Sequence, residues 1–330
     1  MGNFVSKLSF PGLGIPEFEV DRVAFEIKIG ELTLSVGWYG MIICFGIILA
    51  FSYVVFRAGQ KGIVLDTILD YTLITVPLAI FGARIYYIIF NPSGYKTFYD
   101  VIAIWEGGLA IYGAIIVGAV CVFCISKFKK IKFMMMADFA APAVMLGQLI
   151  GRWGNFMNGE AFGAETTLPW RMGVCNRLTN FEMLYVHPTF LYESLWNLLG
   201  FILINIFYKK KKFNGEIMLW YFTWYGLGRA FIETLRTDSL YLGNTDIRVS
   251  SLLGALCFVL LVPVIIFGRV RFAKLAKAGA IAADEPADLP VLLGMAKPAP
   301  LAKAGENAEA DENKENITNE ENAENGTKEE

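Results

Sequence analysis

One histidine in 330 residues is the scarcest feature of this sequence, and it narrows the chemistry available. A histidine-based metal centre is excluded, and no His/Cys/carboxylate cluster has metal-ligand spacing, so neither a metal nor any other cofactor is expected. The five cysteines are Cys44, Cys121, Cys124, Cys175 and Cys257; four fall inside apolar runs and Cys175 is left without an external partner, which excludes a disulfide framework. Cys121-x-x-Cys124 has no second pair and reads as packing. Residues 1–34 lack a compact apolar core before a small-residue cleavage site, so no cleavable signal peptide is expected. There is no internal repeat of the kind that builds many transporters, and no lysine in the last apolar run as a retinal-type receptor needs.

Apolar residues, by contrast, make up 55% of the chain, and aromatics 14%. Runs near 38–56, 70–90, 102–126, 138–157, 188–208, 216–235 and 249–268 are each long enough to cross ~30 Å of hydrocarbon as a helix. The expected fold is therefore an all-α polytopic membrane protein with seven transmembrane helices. Lysine and arginine set its orientation, with 14 after the first, third, fifth and seventh runs and 8 on the other side. By the positive-inside bias the N-terminus is outside and the C-terminus cytoplasmic. Four segments follow: an amphipathic lead-in at the outer face over 1–34, a membrane domain over 35–268, a basic juxtamembrane stretch over 269–283, and a disordered acidic cytoplasmic tail over 284–330. Residues 305–330 alone carry 10 acidic residues and 2 lysines, which hides a basic body under a formal net charge of -2.

Charge inside a span costs about 2.5–3.5 kcal/mol on insertion scales, so it marks function or internal pairing. The intramembrane candidates are Arg84, Arg152, Glu193, Arg229 and Glu233. At ~1.5 Å per residue the three arginines lie near ~20 Å from the cytoplasmic end, with both glutamates at a similar level. One polar layer in the outer third of the bilayer is the expectation. In "YGLGRAFIETLR" the helical spacing puts Tyr225, Arg229, Glu233 and Arg236 on one face. An Arg229–Glu233 pair that merely makes the helix insertable is the structural alternative; it leaves Arg84, Arg152 and Arg236 unexplained, and an excess of arginine calls for an anion. The planar guanidinium suits phosphate.

Gly147, four residues before "GRWGNFMNGEAFG", and Gly151 and Gly154 within it offer a small-residue surface to another helix. Arg152 and Asn155 share a face, while Asn158, Gly159 and Glu160 fall where the helix ends. "HPTFLYE" holds the lone His187, with Pro188 in a helix-starting position. "WEGGLAIYG" carries Glu106 at a span mouth and Tyr112 deeper, among glycines; "GWYG" carries Tyr39, for which an aromatic belt is the plain alternative.

Taken together these stretches resemble prolipoprotein diacylglyceryl transferase, a bacterial membrane family, over residues from about 35 to 268. The resemblance implies a seven-helix enzyme of the bacterial cytoplasmic (inner) membrane. It would move the diacylglyceryl group of phosphatidylglycerol to the lipobox cysteine thiol of a preprolipoprotein, forming a thioether and releasing glycerol phosphate. Arg152, Asn155, Asn158, Glu160 and Gly163 match the family signature, Arg229, Glu233 and Arg236 a second polar motif, and Tyr39 a motif tyrosine. Many members carry a histidine where this chain has Tyr112, which leaves His187, Tyr112 or Glu233 as the base. Partners implied are phosphatidylglycerol, preprolipoproteins and membrane lipid, with no nucleic acid. An anionic-metabolite transporter and a non-catalytic phospholipid-binding membrane protein are the rival readings.

Overall fold

A computed structural model describes residues 5–30, 32–92, 95, 97–104, 107–243 and 245–297. Lys96, Glu106 and the acidic segment 305–330 lie outside the described residues. The chain opens not with a helix but with strands β1 (Val5–Phe10), β2 (Ile15–Asp21), β3 (Val23–Ile29) and β4 (Leu32–Gly37). The long helices are α1 (Trp38–Gly59), α2 (Leu65–Phe90), α4 (Ile111–Phe128), α5 (Phe133–Asn158), α6 (Thr189–Phe207), α7 (Glu216–Ile232) and α8 (Val249–Lys277).

Six of these are long and apolar enough to cross a membrane. The exception is α7, with 17 residues, because its charged end tightens into a 3-10 turn at Glu233–Leu235. A polytopic, mostly helical membrane protein is therefore what the chain forms. The expected span over 102–126 starts later than expected: a five-residue α3 (Phe98–Ile102) stops at the first residue of that range, and α4 begins only at Ile111. Gly107 and Gly108 take φ of 89° and 65°, which a helix does not accommodate. Tyr112 is thus the second residue of its helix and not deep within one.

The expectation of an all-α chain is also corrected at the N-terminal end. A four-stranded sheet, in the order β2-β1-β5-β6, is completed by β5 (Met172–Cys175) and β6 (Leu184–Val186) from the α5–α6 connection. All three pairings are antiparallel, with Leu8 opposite both Phe18 and Val174. Leu8, Val174 and Val186 are essentially inaccessible and pack with Phe190 at the start of α6, Phe156 and Met157 at the end of α5. This cluster seats the sheet on one end of the bundle, so residues 5–21 are a structural part of that end. β3 and β4 form a separate hairpin that leads directly into α1.

Helix α5 is the centre of the bundle and touches α1, α6 and α7, while α2 pairs with α4 and α7 with α8. The glycine seam expected on α5 is used by α1: Gly151 faces Ile43, and a Cβ on Gly154 would stand 2.7 Å from the Tyr39 ring. Helices α6 and α7 are locked by Trp196 and Trp224, stacked at 4.3 Å, each indole donating to the other's carbonyl at 2.9 Å.

At the end away from the four-stranded sheet, Asp138 on α5 is inaccessible and accepts from Lys211 Nζ at 2.9 Å, Gly215 N at 2.9 Å and Met218 N at 3.0 Å. It therefore caps α7 from another helix and fixes where that helix starts. The chain does not leave the fold at 284. Ala287–Asp288 (β8) pair in parallel with Phe213–Asn214 (β7), and Leu289–Leu292 (α9) follow. Leu289 and Leu292 are buried against Phe213, Ile265 and Phe272, so residues 287–292 belong to the packed structure.

Candidate active site

Two helix ends and one 3-10 turn build the site. Helix α5 stops at Asn158 because Gly159 takes φ 61°, a left-handed cap, and the chain turns over the sheet end of the bundle. Helix α6 starts at Thr189, so Glu193 comes one turn in, facing α5 and α7. It is the hub of the site. Arg152 Nη2 stands 2.6 Å from Glu193 Oε2, while Arg229 Nη1 and Arg236 Nη1 both stand 3.0 Å from Oε1. Arg229 also pairs with Glu233, and Arg236 grips Asp238 through two bonds of 2.9 and 2.7 Å. Glu193 and Glu233 are 3% exposed, whereas the arginines keep 11–21% open.

The amides line one flank. Arg152 Nη1 donates to Asn155 Oδ1 at 3.3 Å, and Asn155 and Asn158 each donate to Glu160 Oε1 at 3.1 Å. Arg22 reaches over from the β2–β3 corner and donates to the Asn158 carbonyl at 3.1 and 2.8 Å. On the other flank Gly163 N donates to His187 O at 3.0 Å and Ala164 N to Leu235 O at 2.7 Å. Gly163 bridges Arg236, and a Cβ there would meet His187 and the Leu235 carbonyl within 2.8 Å, so this crossing needs glycine. The backbone that carries Arg236 is held against the segment that carries His187.

Four of the five charges expected in one layer do meet: Arg152, Glu193, Arg229 and Glu233. Arg84 does not. It is 3% exposed and donates to the carbonyls of Asp100, Val101, Gly107 and Gly108 beside the Tyr95 ring, forming no ion pair with Glu193 or Glu233 among the described residues. Its work in this structure is to hold the α3–α4 connection on α2. Arg236, expected on the α7 face, lies past the 3-10 turn and reaches Glu193 from there. The expected arginine surplus also shrinks, since Arg152, Arg229 and Arg236 stand against Glu193, Glu233 and the half-exposed Asp238. Asp238 was not singled out from sequence, because its pairing depends on the turn at Glu233–Leu235.

Tyr39 is the second residue of α1 and lays its ring against Gly154 on α5, next to Arg152 and Asn155 in sequence. Tyr112 stands apart: 37% exposed, 6.3 Å from the Tyr86 ring between centroids, its hydroxyl without a hydrogen bond among the described residues. His187 sits just before α6 with Nδ1 3.2 Å from the Tyr192 hydroxyl, which accepts from Trp170 at 2.7 Å. Burial lowers the His187 pKa and favours the neutral imidazole. Burial raises the Asp238 pKa, but its bonds and charge contact with Arg236 outweigh that and hold it below the ordinary carboxylate range.

Residues 22–267 match the family model of prolipoprotein diacylglyceryl transferase. The chain belongs to that family. A relative from Listeria monocytogenes serotype 4a is 44% identical over 260 residues, covering 76% of this chain and 91% of its own length. Relatives from Finegoldia magna and Streptococcus pyogenes serotype M5 are each 46% identical, over 71% and 69% of this chain and 90% and 88% of theirs. All three bear the name phosphatidylglycerol–prolipoprotein diacylglyceryl transferase. The matched region runs from Arg22 to the body of α8, and so contains every residue of the cluster described above. Chemically the site holds three guanidiniums converging on one buried carboxylate, with Glu233 and Asp238 pairing two of them, a set of fixed positive groups that can receive an anion.

Proposed function

We propose that this chain is a phosphatidylglycerol–prolipoprotein diacylglyceryl transferase: it moves the diacylglyceryl group of phosphatidylglycerol to the lipobox cysteine thiol of a preprolipoprotein. Sulfur forms a bond to the glycerol carbon, the carbon–oxygen bond to phosphate breaks, and glycerol phosphate leaves with the electron pair. The thiol proton passes to a base and then to water. The convergence of Arg152, Arg229 and Arg236 on Glu193 carries this reading. Charge appears on the leaving phosphate only as the bond breaks, so preset guanidiniums favour the transition state over the ground state. Positive charge nearby also lowers the pKa of the incoming thiol, ordinarily ~8.5.

Glu193 is the organiser and not a reactant: it is enclosed by arginine and holds their forks in a common orientation. Asn155, Asn158, Glu160 and Tyr39 present the polar wall that receives the glycerol headgroup, and Gly163 keeps the His187 segment close. Among the bases, Glu233 is committed to Arg229, while His187 is neutral and adjoins the Arg236 backbone, so His187 is preferred. Tyr112 is the second choice, and its unbonded hydroxyl is what keeps it in view. Arg84 contributes by fixing the connection that leads to Tyr112.

The topology that suits this chemistry has seven spans, α7 together with its 3-10 turn being the sixth, with the N-terminus and the site outside and the C-terminus in the cytoplasm. The enzyme then works in the bacterial cytoplasmic membrane on outer-leaflet phosphatidylglycerol. Incubation of purified protein with phosphatidylglycerol and a lipobox peptide tests the reading. The peptide gains the mass of one diacylglyceryl group on cysteine, and a Cys-to-Ser peptide gains none; recovery of unmodified cysteine peptide from active-site-intact protein would defeat it.

A further inference from the structure

Beside the Glu193 cluster the sheet end of the bundle has a short stretch of strand edge that nothing covers. The segment after Gly163 continues the pairing past β6: His187 N donates to Ala164 O at 3.0 Å and Thr166 N to Tyr185 O at 2.9 Å, on either side of an antiparallel bridge between Glu165 and Val186. In that pattern the residue between the two bonds turns its own N–H and C=O to the opposite side. The segment carrying Arg236 covers that side at Gly163 and Ala164, where Ala164 N donates to Leu235 O. The next position along it, Thr234, is already inside the 3-10 turn. Glu165 is therefore exposed, and neither its N–H nor its C=O is hydrogen-bonded among the described residues. Alongside this edge lies a cavity of about 710 Å³ whose wall includes Thr166, Thr167, Arg171, Met183 and Tyr185. Arg171 lies 5.2 Å from the Tyr185 ring centre and spends Nη1 on the Thr167 and Leu168 carbonyls. Its neighbour Trp170 donates to the Tyr192 hydroxyl, which stands 3.2 Å from His187 Nδ1, so the cavity wall runs on into the candidate base.

We propose that the Glu165 edge and this cavity dock the acceptor protein, pairing as an added strand with the extended segment that follows its cysteine. The inference rests on the transferase reading for the identity of the partner. A signal segment is apolar on the amino side of its processing site, so that side stays in the bilayer and the carboxyl side leaves across the sheet end. A free strand edge is a template for another strand, and main-chain bonds hold a partner without reading its side chains. Such an edge suits an enzyme whose acceptors differ in sequence. The polar wall of threonines and Arg171 matches a chain that has left the membrane. Reach agrees as well: Glu165 and Thr167 lie two and four residues beyond Gly163, or about 7 and 13 Å at ~3.3 Å per residue. A cysteine held beside His187 and Arg236 thus brings the second to fourth residues after it onto the edge. Glu165 offers one donor and one acceptor, so a single acceptor residue exchanges both bonds with it.

Photocrosslinking tests the surface without relying on turnover. A lipobox peptide with serine in place of cysteine carries a diazirine side chain at successive positions after the serine, and is irradiated with the purified full chain in detergent containing phosphatidylglycerol. Probes at the second to fourth positions label 165–167, Arg171 or 183–185, and a probe several residues further on does not. Label confined to other surfaces, or spread evenly over the sheet end, overturns the proposal. Main-chain N-methylation of the cysteine peptide then tests strand pairing on the intact enzyme. At one of these three positions it raises the peptide KM about fivefold or more, the effect of one lost backbone hydrogen bond, with kcat unchanged, while the adjacent positions tolerate it. Equal tolerance at all three, or a fall in kcat alone, overturns the pairing. Label at the Glu165 edge without any thioether product leaves the docking surface standing and rejects the transferase reading; thioether product with label elsewhere rejects the docking surface and leaves that reading standing.

Discussion

Replacing Glu193 by glutamine removes one charge and almost no volume, and it strikes the group on which the site depends. The carboxylate is 3% exposed and holds Arg152 at 2.6 Å and Arg229 and Arg236 at 3.0 Å. A hydrogen bond to a charged group contributes about 1.5–3 kcal/mol, and breaking a buried pair on one side costs about 3–5 kcal/mol. The arginines are partly open, with 11–21% exposure, so solvent screens some of that loss and the lower end applies. About 3 kcal/mol of lost transition-state alignment corresponds to a turnover decrease of a little over 100-fold. The amide also turns a donor toward a guanidinium, so the three side chains spread and melting in detergent falls. Added phosphate, supplying the missing negative charge, recovers part of the melting temperature but none of the turnover. The readouts are thioether formation by mass and thermal unfolding with and without phosphate. Normal turnover in Glu193→Gln, with unchanged melting, refutes the hub.

Arg152→Lys and Arg229→Lys each lower kcat/KM by tenfold or more in the same assay, about 1.4 kcal/mol or above, because an ammonium cannot reproduce a two-nitrogen fork. If His187 is the base, the acid limb of the rate profile has its midpoint below the ordinary imidazole value of ~6.5, since burial favours the neutral ring; His187→Ala abolishes that limb. Tyr112→Phe keeps turnover within about twofold, the usual range of about 0.5 kcal/mol for a group without partners, and a large fall would move the base to Tyr112. Deleting 298–330 leaves melting and turnover unchanged, whereas deleting 284–330 uncovers Phe213 and Phe272 and removes two buried leucines, each contributing about 1.5–3 kcal/mol, so melting falls sharply. Cysteines placed in the 158–186 connection react with an impermeant reagent added outside intact cells; reaction only after the cytoplasmic face is opened reverses the topology.

The helical body was legible because hydrophobic runs of about 20 residues have few other uses, and the positions of Arg152, Glu193, Arg229 and Glu233 followed from counting along them. Interruptions were harder. The break before α4 depends on two glycines at positive φ, and the 3-10 end of α7 on how Glu233 and Arg236 pair, neither of which hydropathy registers. The four-stranded sheet joins strands from both sides of α1–α5, and short strands of that kind carry little periodicity. Arg84 looked like its fellow arginines in sequence, yet its partners are carbonyls of α3 and of the connection to α4, 16 to 24 residues on. Asp138 was passed over because it begins an apolar run; its role appears only when Gly215 and Met218, 77 and 80 residues later, are brought to it.

The most direct measurement counts both products in one reaction: glycerol phosphate released and thioether-linked peptide formed, from purified protein with phosphatidylglycerol and a lipobox peptide. The account predicts equal amounts at every time point, and loss of both together in Glu193→Gln. Glycerol phosphate without thioether would mean hydrolysis at a site that excludes the peptide thiol, and saturable lipid binding with neither product would mean a binder; either result contradicts transfer at the Glu193 cluster.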